Sequence, residues 1–307
     1  MNPNYGKFEQ IVKRIDLSAT LLEISGLKNE NRSNISVLTV MLPSGREKRV
    51  VVRVFGAEKI FPRPYIASNE FMFLQRIKLP NLETPSPIYF DQSKEIFSTP
   101  YMVLDYIEGK TELDPSNLPN FIIELVGALT KIHGLRHEEQ DIKFLPNLED
   151  WIKKVLTSTP EEIDVSLDEG RIRDALTRFN GIPTRNKPAL LHGDFWLGNI
   201  LWRDEKIVGV IDWENVMLGD PVFDLAISRI DLMMGSLGSD AMCRFTEQYK
   251  SKVDADFTYL PYWDLYAALR HASKIHNWAK DKSHEQVMRE GHHLFVAKAF
   301  EKISELY

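Results

Sequence analysis

The chain of 307 residues is predicted to adopt an α+β fold in two parts, a small antiparallel sheet followed by a larger, mostly helical region. Two observations predict it. Apolar residues alternate at strand period from about Thr20 to Tyr106 and recur at helical period after about Leu118, with one strand-rich island from Ala189 to Asp212. Gly109, Pro115 and Pro119 punctuate the junction, so the expected parts are residues 1–106 and 107–307. The composition, 43% hydrophobic and 27% charged with a net charge of −6, is ordinary for a globular protein and excludes a disordered or collagen-like chain.

In order, the first part reads as a strand from Thr20 to Ser25, a polar loop from Leu27 to Asn34, and a hairpin. The hairpin joins Ile35–Leu42 to Lys48–Phe55 through Pro43-Ser44-Gly45-Arg46, a turn sequence between two β-branched runs. A helix is expected to begin near Pro64, a residue suited to a first helical turn. Its apolar stripe is Ile66, Phe73, Leu74 and Ile77. Glu70 falls on that stripe, where a carboxylate needs a partner. Strands near Ile88–Phe90 and Tyr101–Tyr106 bring the sheet to about five, within the usual range.

The second part opens with an amphipathic helix, Phe121–His133, and two shorter ones at Asp150–Leu156 and Ile172–Phe179. After the island the chain reads as helical to its end: Phe223–Met234, Ser239–Lys250, Pro261–Trp278 and Ser283–Glu305.

Several function classes are disfavoured. The lone Cys243 forms no intramolecular disulfide and no Cys/His group has zinc spacing, so a reducing compartment is expected. Residues 1–16 mix charges and lack the apolar core of a secretory signal. No uncharged stretch approaches the roughly 18 residues of a membrane span. The expectation is a cytoplasmic protein without a membrane partner. The basic clusters, Arg46–Arg49 and Arg171–Arg173, are interrupted, so no nucleic-acid partner is expected either.

The island holds the informative run, Leu190-Leu191-His192-Gly193-Asp194-Phe195-Trp196-Leu197-Gly198-Asn199, followed by Ile211-Asp212-Trp213-Glu214. Phosphoryl transfer from a nucleotide needs a carboxylate near the attacking hydroxyl and two oxygen ligands for magnesium, because positioning and charge neutralisation stabilise its transition state. Asp194, Asn199 and Asp212 supply such groups. The Asp-x-x-x-x-Asn interval matches the catalytic loop of protein kinases. A hairpin, Ile200–Trp202 and Ile207–Ile211, is expected to return Asp212 beside Asn199. Three unrelated loop caps would leave that spacing unexplained.

These motifs, together with Gly219-Asp220-Pro221-x-x-Asp224-Leu225-Ala226, resemble the aminoglycoside phosphotransferase and choline kinase-like family. The resemblance spans about Thr20 to Trp278. It implies a bilobal protein kinase-like fold, with a nucleotide-binding N-lobe, a catalytic C-lobe and the active site between them. It also implies an ATP- and magnesium-dependent transfer of the γ-phosphate to a small-molecule hydroxyl. Position by position, Asp194 becomes the catalytic base, and Asn199 and Asp212 the magnesium ligands. His192 becomes a support for the loop, and Asp224 the residue that holds the loop backbone.

Arg53, inside Val50-Val51-Val52-Arg53-Val54, and Glu70 fit the phosphate-gripping cation and its helix partner. An Arg in a β-branched strand and a Glu on an apolar helix face need each other if buried, so a plain structural ion pair is the alternative. Val51 shares a strand face with Arg53 and is expected to cover adenine. By analogy with the kinase hinge, the Asp105 carbonyl and the Ile107 amide contact the base. The phosphate loop, Ser25–Asn34, has one glycine and no Gly-x-Gly-x-x-Gly or Walker signature; a plain hairpin loop is the competing reading.

Eight positions separate Asp212 from Asp220, too few for a peptide-binding activation segment, so a small acceptor is expected, an antibiotic or a metabolite such as an amino alcohol or sugar. Tyr262, Trp263, Tyr266, Arg270, His271, His276 and Trp278 form an aromatic stripe that reads more readily as core than as a substrate wall. The alternative function, prompted by the glycine-poor loop, is a nucleotide-binding pseudokinase serving as a scaffold. A hydrolase built on His192 and Asp194 lacks a second His at metal spacing.

Overall fold

The structure, a computed structural model, describes residues 4–26, 33–136, 141–158, 163–179, 185–272 and 274–306. The chain divides into two compact units, Met1–Glu108 with Gly209–Glu214, and Gly109–Val208 with Asn215–Tyr307. No helix among the described residues is long and apolar enough to cross a membrane.

The first unit is built on a five-stranded antiparallel sheet. Its strands are β1 (Thr20–Gly26), β2 (Ser33–Met41), β3 (Glu47–Phe55), β4 (Pro87–Asp91) and β5 (Tyr101–Asp105), ordered β1-β2-β3-β5-β4. Gly45, at φ +76°, makes the β2–β3 turn, a backbone region that glycine enters without a Cβ penalty. Along β3 the side chains alternate. Val50, Val52 and Val54 enter a core with Leu38, Val40 and Val103, which puts Val51 and Arg53 on the opposite face.

Helix α1 (Tyr5–Ile15) adds Phe8, Ile11 and Val12 to that core. Its residues Phe8, Ile11, Val12 and Ile15 stand at helical spacing, a signal beyond the absence of a secretory core. A short helix, α2 (Ala57–Ile60), precedes α3 (Ile66–Arg76). Pro64 lies before the N-cap Tyr65 and outside the helix, because the first helical turn starts two residues later than its proline suggested. Residues 209–214 complete the unit. Val210 donates to the Glu83 carbonyl at 3.0 Å, and the fully buried Trp213 packs on Phe73 with ring centroids 5.2 Å apart.

The second unit is mainly helical: α4 (Leu118–His133), α5 (Leu148–Thr157), α6 (Glu169–Arg178), α7 (Val222–Met234), α8 (Gly238–Lys250), α9 (Leu260–His271), α10 (Ile275–Trp278) and α11 (Lys282–Ser304). Helix α7 is its axis. Phe223, Leu225, Ala226, Ile227 and Ile230 are almost wholly buried, and α8, α9 and α11 all pack on it. The single helix expected from Pro261 to Trp278 is two, because Ala272 turns to an extended conformation with ψ 149°.

Between α6 and α7 run β6 (Ala189–Leu191), β7 (Ile200–Arg203), β8 (Lys206–Val210) and β9 (Met217–Gly219). β6 pairs antiparallel with β9, a three-residue strand too short to give a period in sequence. β7 and β8 form the expected hairpin. Asp204 and Glu205 turn it at φ +51° and +57°, the left-handed pair that matches strand twist in a two-residue hairpin turn.

Candidate active site

In the second unit β6 delivers the chain into the loop His192–Asn199. Gly193 sits at φ +78°, and a Cβ there would lie 2.1 Å from the Asn215 carbonyl oxygen, so only glycine fits. The loop is held from α7. The fully buried Asp224 accepts the amides of His192 at 2.7 Å and Gly193 at 2.9 Å. His133 of α4 approaches the same carboxylate at 3.2 Å, and its other ring nitrogen meets the Tyr249 hydroxyl at 2.7 Å. His192 is itself buried, and its Nδ1 accepts the Asp194 amide at 3.3 Å.

Beyond Asp194 the chain makes a single tight turn, Leu197–Asn199. Asn199 donates from Nδ2 to the Asp194 carbonyl at 3.0 Å, which leaves Oδ1 as the atom it presents to a ligand. Asp231 of α7 accepts the Leu197 amide at 3.2 Å. Burial pushes the Asp231 carboxyl up to about 7, with that amide pulling downward and the charge of Asp194 adding to the rise. Arg270 arrives from α9. Its Nη1 donates to the Gly193 carbonyl at 2.7 Å and its Nη2 stands 3.4 Å from Asp194 Oδ1. The Asp194 side chain keeps 33% of its exposure, enough to meet a reactant.

In the first unit the centre is Arg53. Its side chain is 5% exposed. Nη1 donates to both oxygens of Glu70, at 2.8 and 3.1 Å, and Nη2 to Asp212 at 2.7 Å and Glu214 at 2.5 Å. Lys59 of α2 joins Glu214 at 2.7 Å, and the Trp213 amide donates to Glu70 at 3.0 Å. Burial works against the guanidinium charge, but Asp212, Glu70 and Glu214 outweigh it and hold Arg53 further above its usual range. Burial pushes the Glu70 carboxyl up to about 8 against the pull of Arg53. Asp212 takes the left-handed conformation at φ +64°, which aspartate adopts more readily than most non-glycine residues. Three carboxyl groups, those of Glu70, Asp212 and Glu214, meet the two cations Arg53 and Lys59 in this cluster.

Residues 30–266 match the model of the phosphotransferase enzyme family. The chain belongs to that family. It is 23% identical over 245 residues to the mouse acyl-CoA dehydrogenase family member 10, covering 76% of this chain and 23% of that protein. With viomycin phosphotransferase from Streptomyces vinaceus it shares 29% identity over 156 residues, 47% of this chain and 54% of the relative. The chain thus spans only about a quarter of the length of the acyl-CoA dehydrogenase family relatives it matches, 23 to 27%. Among solved structures it is similar to a thermostable mutant of aminoglycoside phosphotransferase APH(4)-Ia, crystallised with ADP and hygromycin B. That pair has a TM-score of 0.61, 16% identity and 97% coverage of both chains. The phosphotransferase fold is therefore protein kinase-like α+β, as the sequence predicts.

The structure groups the residues singled out from sequence into three sets. Asp194 and Asn199 share one loop. Arg53, Glu70 and Asp212 share one charge cluster. Val51 pairs with Leu104, and Asp105 ends β5 opposite Val50, with the buried Ile107 two residues on. Of the expected phosphate loop, Leu27–Arg32 lies outside the described residues, while Ser33 and Asn34 open β2. The aromatic stripe is core as expected at Tyr262, Trp263 and Tyr266. Arg270, within that stripe, is a site residue that its neighbours concealed. Lys59, Glu214 and Asp231 join them in the structure. Glu214 carried a signal, since it stands in the Ile-Asp-Trp-Glu run; Lys59 and Asp231 carried none.

Proposed function

We propose that this phosphotransferase moves the γ-phosphate of ATP to a hydroxyl of a small molecule, an antibiotic or a metabolite such as an amino alcohol or sugar. The observation that carries this reading is the loop bearing Asp194 and Asn199, clamped by Asp224 and joined internally by the Asn199–Asp194 hydrogen bond.

In this reading Asp194 accepts the proton of the acceptor hydroxyl as its oxygen attacks the γ-phosphorus. Arg53, oriented by Glu70, holds phosphate oxygens; its Nε has no acceptor among the described residues, which leaves a donor for them. Asp212 and Asn199 hold magnesium, and both offer the hard oxygen donors that this ion takes. When bound, magnesium neutralises charge on the phosphates. Val51 covers adenine, and the Asp105 carbonyl and Ile107 amide read its edge. The short passage from Asp212 to β9 supports a small acceptor over a peptide. A cytoplasmic location, where ATP and magnesium are abundant, belongs to the same reading.

The test is ATP binding with magnesium, followed by a screen of hydroxylated metabolites and antibiotics for stimulated ATP turnover. Asp194→Asn should lower turnover by about 10² to 10⁴ while leaving ATP bound. Unchanged turnover in that variant rules out the assignment of Asp194. Binding without turnover across a broad panel favours the scaffold alternative.

A further inference from the structure

The transferring phosphoryl group carries its charge on three equatorial oxygens, and a cation aimed at them is among the strongest aids to the reaction. The loop between Asp194 and Asn199, Phe195-Trp196-Leu197-Gly198, contains no Lys or Arg. A cation nevertheless stands at Asp194, supplied from α9, 76 positions along the chain. We propose that Arg270 is a catalytic residue that binds the transferring phosphoryl group, an inference that rests on the phosphotransferase reading above.

The geometry of the side chain separates an anchored arm from a loose one. Nη1 is held by the Gly193 carbonyl at 2.7 Å, and the guanidinium carbon lies 5.7 Å from the Phe223 ring centroid. Nη2 reaches Asp194 only at 3.4 Å, the outer edge of a hydrogen bond. The side chain is 21% exposed, and a guanidinium carries more donors than these two contacts use. An attacking hydroxyl hydrogen-bonded to Asp194 lies about 3 Å from its carboxylate, and the phosphorus about 3 to 3.5 Å further on. An arginine already against that carboxylate can therefore meet a phosphoryl oxygen by a small swing of its loose arm.

The chemistry balances without Arg270 changing state. The acceptor oxygen forms a bond to the γ-phosphorus, and the bond from phosphorus to the β,γ-bridging oxygen breaks. ADP leaves with the electron pair, and the hydroxyl proton passes to Asp194 and then to solvent. Arg270 contributes charge and two directed N–H donors, which the planar fork suits better than an ammonium. Held on Gly193, it also keeps Asp194 oriented before the reaction.

The experiment measures ADP affinity calorimetrically for the full chain with magnesium, with and without aluminium fluoride, whose planar anion mimics the transferring group. The wild type should bind ADP about 10-fold tighter or more with the fluoride. Arg270→Gln should bind ADP alone as the wild type does and lose that tightening. Arg270→Lys should keep part of it, and serves where the Gln variant melts early. Equal tightening in the wild type and both variants overturns the proposal, as does a wild type that binds ADP but gains nothing from the fluoride. A wild type that binds no ADP overturns the phosphotransferase reading itself.

Discussion

The Asp224 carboxylate accepts the main-chain amide of His192 at 2.7 Å, and that of Gly193 at 2.9 Å. Hydrogen bonds to a charged group contribute about 1.5 to 3 kcal/mol each, and leaving buried donors unpaired costs a comparable amount. Asp224→Ala should therefore lower stability by about 3 kcal/mol or more in urea unfolding and abolish ATP turnover. Asp224→Asn keeps one acceptor oxygen and should lose less of both. A full-strength Asp224→Ala enzyme would show that the loop holds its shape without α7.

Arg53 and Glu70 make a buried pair whose halves are unequal when separated. Arg53→Ala leaves the Glu70 carboxyl buried beside Asp212 and Glu214 without its cation, and breaking a buried pair costs about 3 to 5 kcal/mol. Adding Glu70→Gln to Arg53→Ala should restore part of that stability, because it removes the acidic group that Arg53 no longer pairs. Under the proposed function nucleotide affinity should stay low in both variants, since Arg53 is the cation proposed to hold the phosphates. Denaturant unfolding alongside ADP titration separates the two effects.

Two partly buried groups give stability opposite pH dependences. Burial lowers the His271 imidazole to about 3, with its Nδ1 facing the Ala267 carbonyl and Arg270 alongside. The native state keeps it neutral while the unfolded chain takes up a proton below about 6.5, so stability is lost as pH falls from 6.5 towards 3. Asp231, raised to about 7, is protonated in the native state over a range where the unfolded chain has released its proton. Its contribution is lost as pH rises from about 4 to 7. Thermal melts across pH should show His271→Asn flattening the acid side and Asp231→Asn flattening the rise-dependent loss.

Two glycines should respond in opposite directions to alanine. Gly193→Ala meets the Asn215 carbonyl and a positive φ, so both turnover and stability should fall. Gly127, inside α4, has nothing within 4 Å of an added Cβ. Gly127→Ala should raise stability by about 0.5 to 1 kcal/mol through its helix preference. Melting temperatures of the two variants check the contrast.

Much of this molecule is legible in sequence where the signal is local. The β2–β3 turn, the β7–β8 hairpin and the His-Gly-Asp run each lie within a dozen residues, and each period or spacing reports one element. Partners distant in the chain leave no such mark. Lys59 reads as an ordinary exposed helix residue until Glu214 is placed against it. Arg270 sits among buried aromatics, and only the Gly193 carbonyl shows that it does not share their role. Helix α1 was readable, since Phe8, Ile11, Val12 and Ile15 mark one face. The break at Ala272 was not, because no Gly or Pro stands there and the apolar period continues across it.

Trp213 fills the space against Phe73 and gives its amide to Glu70, yet it is encoded more than a hundred residues after the sheet it completes. A ribosome that has released only the first 108 residues has exposed a unit without its last core side chain. The core of the first unit is therefore complete only once residues 209–214 have followed. For the same reason a truncation at Glu108 should yield an aggregation-prone fragment, and a split of this protein into two co-expressed halves should succeed only if the second half supplies that segment in trans.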